Sequence, residues 1–197
     1  MFLSLPATLA LIIASEEITS SLFGYGSFDN LSVKKSAEAL FYFALGLPSF
    51  AFIKIFSSFS FARNNTKTPF YFSMISVIVN IIISVYFFSE IGFIIIPIAT
   101  TISSWLNSLL LLFFLIKKNY FSLNLNLIKP IFKIILSTIF TSIIFYLLII
   151  FFENNLSYES ELKLLTIIML VIVTFIVYIL ISILTKAFKI SDIKLKY

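Results

Sequence analysis

The sequence contains no cysteine and no histidine. Their absence removes disulfides, thiol nucleophiles, imidazole bases and the usual zinc ligands. Acidic residues are also scarce: nine Asp and Glu in 197 residues, nearly all beside the ends of apolar runs. No pair of acid/base groups converges within one run, so an intramembrane enzyme is the least favoured class. There is no phosphate-binding glycine loop, metal-ligand cluster or catalytic triad, and no cofactor or metal is expected.

Apolar side chains, by contrast, are abundant. They make up 60% of the chain, against roughly 45–50% in soluble domains, and the mean hydropathy is +1.11. A globule of this size cannot bury that much apolar surface, so lipid is the solvent and membrane lipids are the first partner. The runs are continuously apolar rather than alternating, which excludes a β-barrel. The expected fold class is all-α, a polytopic bundle of membrane helices. A spanning helix needs about 20 apolar residues. Six stretches qualify, roughly 1–23, 36–62, 69–89, 92–116, 130–152 and 162–185, giving one bundle over 1–186 and a basic tail at 187–197. The connection from Lys117 to Lys129, with Tyr120, Phe121, Leu123, Leu125 and Leu127, is amphipathic enough to lie on the membrane surface. The first run reads as a retained helix rather than a signal peptide. Nothing basic precedes it, and Ala14-Ser15-Glu16 is a poor cleavage site. Met1 stands at the edge of that run, as in a span cut near its beginning.

The net charge of +5 is read as a loop bias of a membrane protein, not as a nucleic-acid footprint. One side carries Arg63 and Lys67, then Lys117, Lys118 and Lys129, then Lys186, Lys189, Lys194 and Lys196. Lys133, one turn into its helix, snorkels to the same side. The other side carries Asp29, Lys34, Lys35, Glu38, Glu90, Glu153, Glu159, Glu161 and Lys163. Positive charge gathers on the first side, so that side and both termini are expected in the cytoplasm.

Within the runs, polar residues fall in stripes. The third carries Ser73, Ser76, Asn80 and Ser84; the fourth Thr100, Ser104, Asn107 and Ser108; the fifth Ser137, Thr138, Thr141 and Ser142. At three- and four-residue spacing each stripe lies on one helix face. Two readings stand: close helix packing, where an amide bond across the interface contributes about 1 kcal/mol, and the lining of a hydrated cavity. Packing carries more weight. The sixth run reads as nearly free of such residues, hence peripheral. Lys54 is the charge deepest inside a run, nine residues before Arg63 and so about 13 Å from the basic turn. Such charges face water or a bundle interior and are functional candidates by default; the competing reading is a snorkelling stem. Ser57 and Ser58 follow one turn on. The candidate substrate path or bundle interior is therefore Lys54, Ser57, Ser58, Asn80 and Asn107, with Arg63 and Lys67 in the cytoplasmic turn. Glu16 and Glu17 read as solvated helix-end acids. Pro48 and Pro97 are weak signals of kinks.

Several landmarks come in a known order. Leu22 to Phe28 (LFGYGSF), Ala44-Leu45-Gly46-Leu47-Pro48, Lys54, Phe61-Ala62-Arg63, Thr66-Lys67-Thr68-Pro69 and Ser104-Trp105-Leu106-Asn107 resemble the MurJ/MviN lipid II flippase family of the MOP exporter superfamily. The match runs over about Leu5 to Lys118, and the Phe-Ala-Arg…Thr-Lys-Thr-Pro turn is its most specific part. The last two runs match mainly in position and hydropathy. The resemblance implies a transporter of the bacterial cytoplasmic membrane with fourteen spans in two lobes. It implies export of the undecaprenyl-linked peptidoglycan precursor by alternating access, with the membrane potential as driving force, in service of cell-wall biogenesis. This chain would match spans nine to fourteen, as a fragment, a split-gene product or a half that needs its amino-terminal lobe, and would be inactive alone. The family's cavity arginines lie outside it, so no residue here inherits their role. Ile95-Ile96-Pro97-Ile98 replaces the small-residue run expected before Ala99-Thr100. The alternatives are another MOP-type exporter of polysaccharide-linked lipids, which the Arg63 to Pro69 turn disfavours, and a non-transporting helical scaffold.

The charge bias generates the first testable expectation. Single cysteines at Asn65 and Asn155, probed on intact cells with an impermeant thiol reagent, are expected to label at 155 and not at 65. The opposite pattern inverts the topology.

Overall fold

The computed structural model describes residues 1–121 and 125–187. Among them, all regular structure is helical: α1 (Ser4–Ile13), α2 (Ser15–Phe23), α3 (Asn30–Phe61), α4 (Lys67–Ile91), α5 (Ile95–Lys117), α6 (Leu125–Phe151), α7 (Glu153–Leu156) and α8 (Lys163–Leu184). The chain forms two compact units, Met1–Glu38 with Asn124–Tyr197, and Ala39–Leu123. The basic tail expected at 187–197 lies, after Ala187, outside the described residues, and so do Leu123 and the side chains of Leu125 and Leu127.

In the first unit, Ala14, Phe145, Ile149, Leu156, Ile167 and Leu170 form the core. The first run is not one straight span: α1 and α2 meet at 79°. The break falls at Ala14, whose φ of −113° and ψ of 28° are not helical and which is fully buried. Chemistry changes at the same place. Ser15, Glu16 and Glu17 open α2, and acids in a first turn stabilise a new helix N-terminus. Continuous hydropathy hid this restart.

Helix α3 starts at Asn30, well before the expected boundary near 36. The Asp29 carboxylate accepts a hydrogen bond from the Ser32 amide at 2.8 Å, which satisfies one of the orphan donors of the first turn. Bonds from Ser32 hold that carboxyl below the usual carboxylate range. Lys34, Lys35 and Glu38 therefore lie on a helix rather than in a loop. Val33 and Ala37, one turn apart, are buried. Pro48 sits inside α3 without ending it.

In the second unit, Phe56, Leu111 and Leu115 form the core, joined by Phe52, Phe72, Phe114, Tyr120 and Phe121. Tyr120 and Phe121 thus pack inward, against the surface-helix reading of 117–129. The basic turn has a local cause. Asn64 takes a left-handed conformation (φ 55°) and the Asn65 amide reaches back to the Ser60 carbonyl at 3.0 Å, the usual way of closing a helix end. The Asn65 side chain then accepts from the Thr68 amide at 3.1 Å and so caps α4. Pro69 and Pro97 each stand third in their helices, where proline removes no intrahelical bond. Neither interrupts its helix.

By length and hydropathy the membrane-crossing stretches are α3, Lys67–Lys117, Ile128–Phe151 and α8, with the α1–α2 pair as a bent fifth. Lys67–Lys117 has 51 residues, about 75 Å if straight, more than twice the hydrocarbon thickness of about 30 Å. It is folded back on itself. Asn80 meets Thr100, and Ser73 meets Asn107, so α4 and α5 run antiparallel. Gly92 makes the reversal with φ 73° and ψ −151°, a region essentially reserved for glycine. Gly92→Val is expected to cost about 1–3 kcal/mol through that strain. Unfolding of the purified protein in mild detergent measures it, and an unchanged midpoint would show the turn to be adaptable.

Candidate functional site

The α4–α5 hairpin brings two stripes together as one polar seam. The Asn80 side-chain amide donates to Thr100 Oγ1 at 3.2 Å and to Ser103 Oγ at 3.3 Å. The Asn107 amide donates to Ser73 Oγ at 3.3 Å. From α3, the Ser49 hydroxyl donates to Ser104 Oγ at 2.6 Å. Gly46 allows that approach: a Cβ there would stand 3.0 Å from Thr101 Oγ1, so the helices close over a small residue. Thr101 donates to the Tyr42 carbonyl at 2.6 Å, and Trp105 Nε1 to the Leu45 carbonyl at 3.0 Å. Packing, the bland reading, accounts for most of these groups.

It does not account for all of them. A cleft of about 260 Å³ opens along the seam, lined by Phe50, Ile53, Ser73, Ser76, Val77, Asn80, Thr100, Ser103, Ser104 and Asn107. Asn107 is 7% exposed, and its Oδ1 has no partner among the described residues. A buried acceptor of that kind calls for a donor, and a molecule entering the cleft can supply one. A second cleft, about 600 Å³ and open, is lined by Ser57, Phe61, Thr66, Lys67, Pro69, Phe70, Tyr71 and Ser73. Ser73 lies on both. A track of neutral hydroxyls and amides thus runs from the middle of the hairpin to the basic turn.

The structure therefore groups Asn80 with Asn107, and Ser57 with Lys67, but places Lys54 and Ser58 elsewhere. Both are exposed on α3, with the Ser58 hydroxyl donating to the Lys54 carbonyl at 2.8 Å. Lys54 faces away from the packed side of its own unit. Arg63 is a clamp. Its guanidinium donates to the Phe59 carbonyl at 3.1 Å and the Tyr120 carbonyl at 3.3 Å, and lies 4.6 Å from the Tyr120 ring centre. It closes the exit of α3 onto the exit of α5. Among the described residues, no group of three or more Asp, Glu, His or Cys is placed to hold a metal ion.

In the first unit, an apolar groove of about 300 Å³ is lined by Leu3, Pro6, Ala7 and Ala10 of α1, Thr141, Ser142 and Phe145 of α6, and Val171, Thr174, Phe175 and Tyr178 of α8. Helix α8 is not the polar-poor helix expected. Thr166, Thr174, Tyr178 and Ser182 recur at multiples of four residues and are buried. Ser137 of α6 shares a hydrogen bond with Thr185 at 2.9 Å. Average hydropathy concealed this stripe. Lys163, one of the charges on the outer side in the sequence, lies inside the fold. It is 2% exposed. Its ammonium donates to the Gly24 and Tyr158 carbonyls, both at 2.7 Å, and lies 4.4 and 4.7 Å from the Tyr25 and Tyr158 ring centres. The sequence signal was the clustering of tyrosines and glycines at Gly24-Tyr25-Gly26 and Tyr158, visible but without a partner.

These features define a class first: a multi-pass helical membrane protein whose internal polar groups are largely uncharged and arranged along helix interfaces. Comparison with known proteins then gives the family. The family model described as "Lipid II flippase MurJ" matches residues 1–167, and the chain belongs to that family. The match extends beyond Lys118 into α8, further than the sequence landmarks reached. The chain is 34% identical over 137 residues to a probable lipid II flippase MurJ of Rhizobium meliloti (strain 1021), covering 70% of this chain and 26% of that relative. It is 39% identical over 103 residues to the corresponding protein of Thermotoga maritima, covering 52% of this chain and 22% of the relative. The fold is similar, with a TM-score of 0.73 and 24% identity, to a solved structure titled "Lipid II flippase MurJ, inward closed conformation", covering 94% of this chain and 36% of that one. The chain thus spans about a quarter of the length of the relatives it matches.

A double-mutant cycle between Asn80→Ala and Thr100→Val is expected to give a coupling of about 0.6 kcal/mol, and at most about 1.7. Unfolding in detergent reads it. Zero coupling would assign Asn80 to the cleft and not to packing.

Proposed function

We propose that this chain is the carboxy-terminal portion of a lipid II flippase. It works with an amino-terminal lobe to move the undecaprenyl-linked peptidoglycan precursor across the cytoplasmic membrane by alternating access. The observation that carries the reading is the family match over residues 1–167. In this reading the chain crosses the membrane six times, with α1–α2 as a broken span, and both termini are cytoplasmic. The apolar groove between α1, α6 and α8 takes the polyprenyl tail. The neutral track from Asn80 and Asn107 through Ser73 to Ser57 and Lys67 borders the path of the polar head. Lys54 and Ser58, exposed on their own unit, face the other lobe.

The chain alone does not flip the substrate. One uncompensated charge at the bilayer centre costs at least about 2.5–3.5 kcal/mol, and a pyrophosphate needs several cationic or hydrogen-bonding partners. Lys163 is committed to its cage, Arg63 to its clamp, and the seam is neutral. Alternating access also needs two bodies that rock against each other. Of the alternatives, another MOP-type exporter would use the same fold on a different lipid-linked glycan, and a scaffold would tolerate loss of the Lys54 charge.

The test depletes the native flippase in a bacterium, then expresses residues 1–197 alone or with an amino-terminal lobe from a relative. Growth and surface-exposed lipid II are expected only with both pieces. Lys54→Ala in the two-piece transporter is expected to reduce export while leaving membrane levels unchanged. Rescue by the short chain alone, or full export by Lys54→Ala, would overturn the respective part.

A further inference from the structure

The Lys163 cage has an unusual energetic balance. Burial strips water from the ammonium. Its place as the first residue of α8 sets a cation at the positive end of the helix dipole, the wrong end for it. Two unfavourable terms are therefore offset by the cage itself: two carbonyls at 2.7 Å and two ring faces. Its described contacts include no carboxylate. The cage also joins pieces far apart in sequence. Gly24 and Tyr25 belong to the turn after α2, Tyr158 to the connection before α8. The Ser21 hydroxyl adds a bond to the Lys163 carbonyl at 3.2 Å.

We propose that Lys163 is a latch. Its ammonium holds the Gly24–Tyr25 strap shut over the head of α8, and release of that one contact opens this end of the first unit without unfolding the helices. A hydrophobic contact would not behave this way, because its strength is spread over many atoms. Here one charged group makes four contacts of the closure, beside the Ser21–Lys163 and Tyr158–Phe28 hydrogen bonds, and its desolvation cost is recovered the moment water returns. The use of the latch rests on the flippase reading, in which one end of the bundle must open while the other is closed.

The absence of cysteine makes the test direct. Ser21 and Ser60 are each 0% exposed, one beneath the strap and one in the second unit. Ser21→Cys, which alters the Ser21 bond to the Lys163 carbonyl equally in both arms, and Ser60→Cys are made singly in the full chain, in lipid nanodiscs, and each is compared with and without Lys163→Met, which keeps the stem and removes the charge. N-ethylmaleimide is the probe. Lys163→Met is expected to speed labelling at position 21 by about tenfold or more, as local opening does, and to leave position 60 unchanged. Unchanged protection at 21 would overturn the latch. Equal acceleration at both positions would overturn it too, by showing general loosening. In the two-piece transporter Lys163→Met is then read for export, and wild-type export there shows the latch to be idle in transport. Failure of the unaltered two-piece transporter would sink the flippase reading, and the labelling result would still decide the latch.

Discussion

Hydrocarbon offers a polar group no partner, and the structure follows from that single constraint. Most hydroxyls carried into the membrane find an acceptor within the protein, although those of Ser84 and Ser182 have none among the described residues. Thr8, Ser58, Ser76, Thr100, Thr138, Thr141 and Thr174 each donate to the carbonyl four residues back on their own helix. That solution is local and asks nothing of a neighbour. Asn80 and Asn107 cannot use it fully, because an amide has two donors and two acceptor lone pairs to place. These two residues therefore reach from one arm of the α4–α5 hairpin to the other. The register of the hairpin is fixed where the local solution fails.

The same logic explains what was readable in the sequence. All-helical membrane architecture, the stripes of α4, α5 and α6, and the basic turn needed only hydropathy, spacing and local turn chemistry. The shared faces of Ser73 with Asn80, and of Thr100 with Asn107, are legible because a helix face is a property of spacing alone. The break at Ala14 was missed because the apolar run gave no warning, and only the acids that follow it supply a new helix start. The stripe of α8 was missed because four buried polar residues vanish in an average over a very apolar helix. Lys163 was missed for a deeper reason. Its partners lie 139 and 5 residues away, and no local rule says that a glycine carbonyl will meet a lysine.

Two cations thus exchange the roles that position in the sequence suggested. Lys54, central in its apolar run, is exposed on its unit, whereas Lys163, at a helix boundary, is buried. Depth along a span and burial within the protein are separate coordinates. The first follows from counting residues, the second from how faces pair. The distinction matters because a side chain exposed on its own unit is not thereby exposed to water.

The Lys163 cage also bears on how such proteins are compared. Inference of contacts from sequence families relies on pairs of side chains that change together. Two of the four groups around Lys163 are main-chain carbonyls, which every residue carries whatever its side chain. A substitution at either carbonyl's position leaves the acceptor in place and asks for no compensating change elsewhere. A tie between chain segments 139 residues apart would therefore leave only a faint covariation signal. Contact maps built from covariation would be expected to understate main-chain cages of this kind.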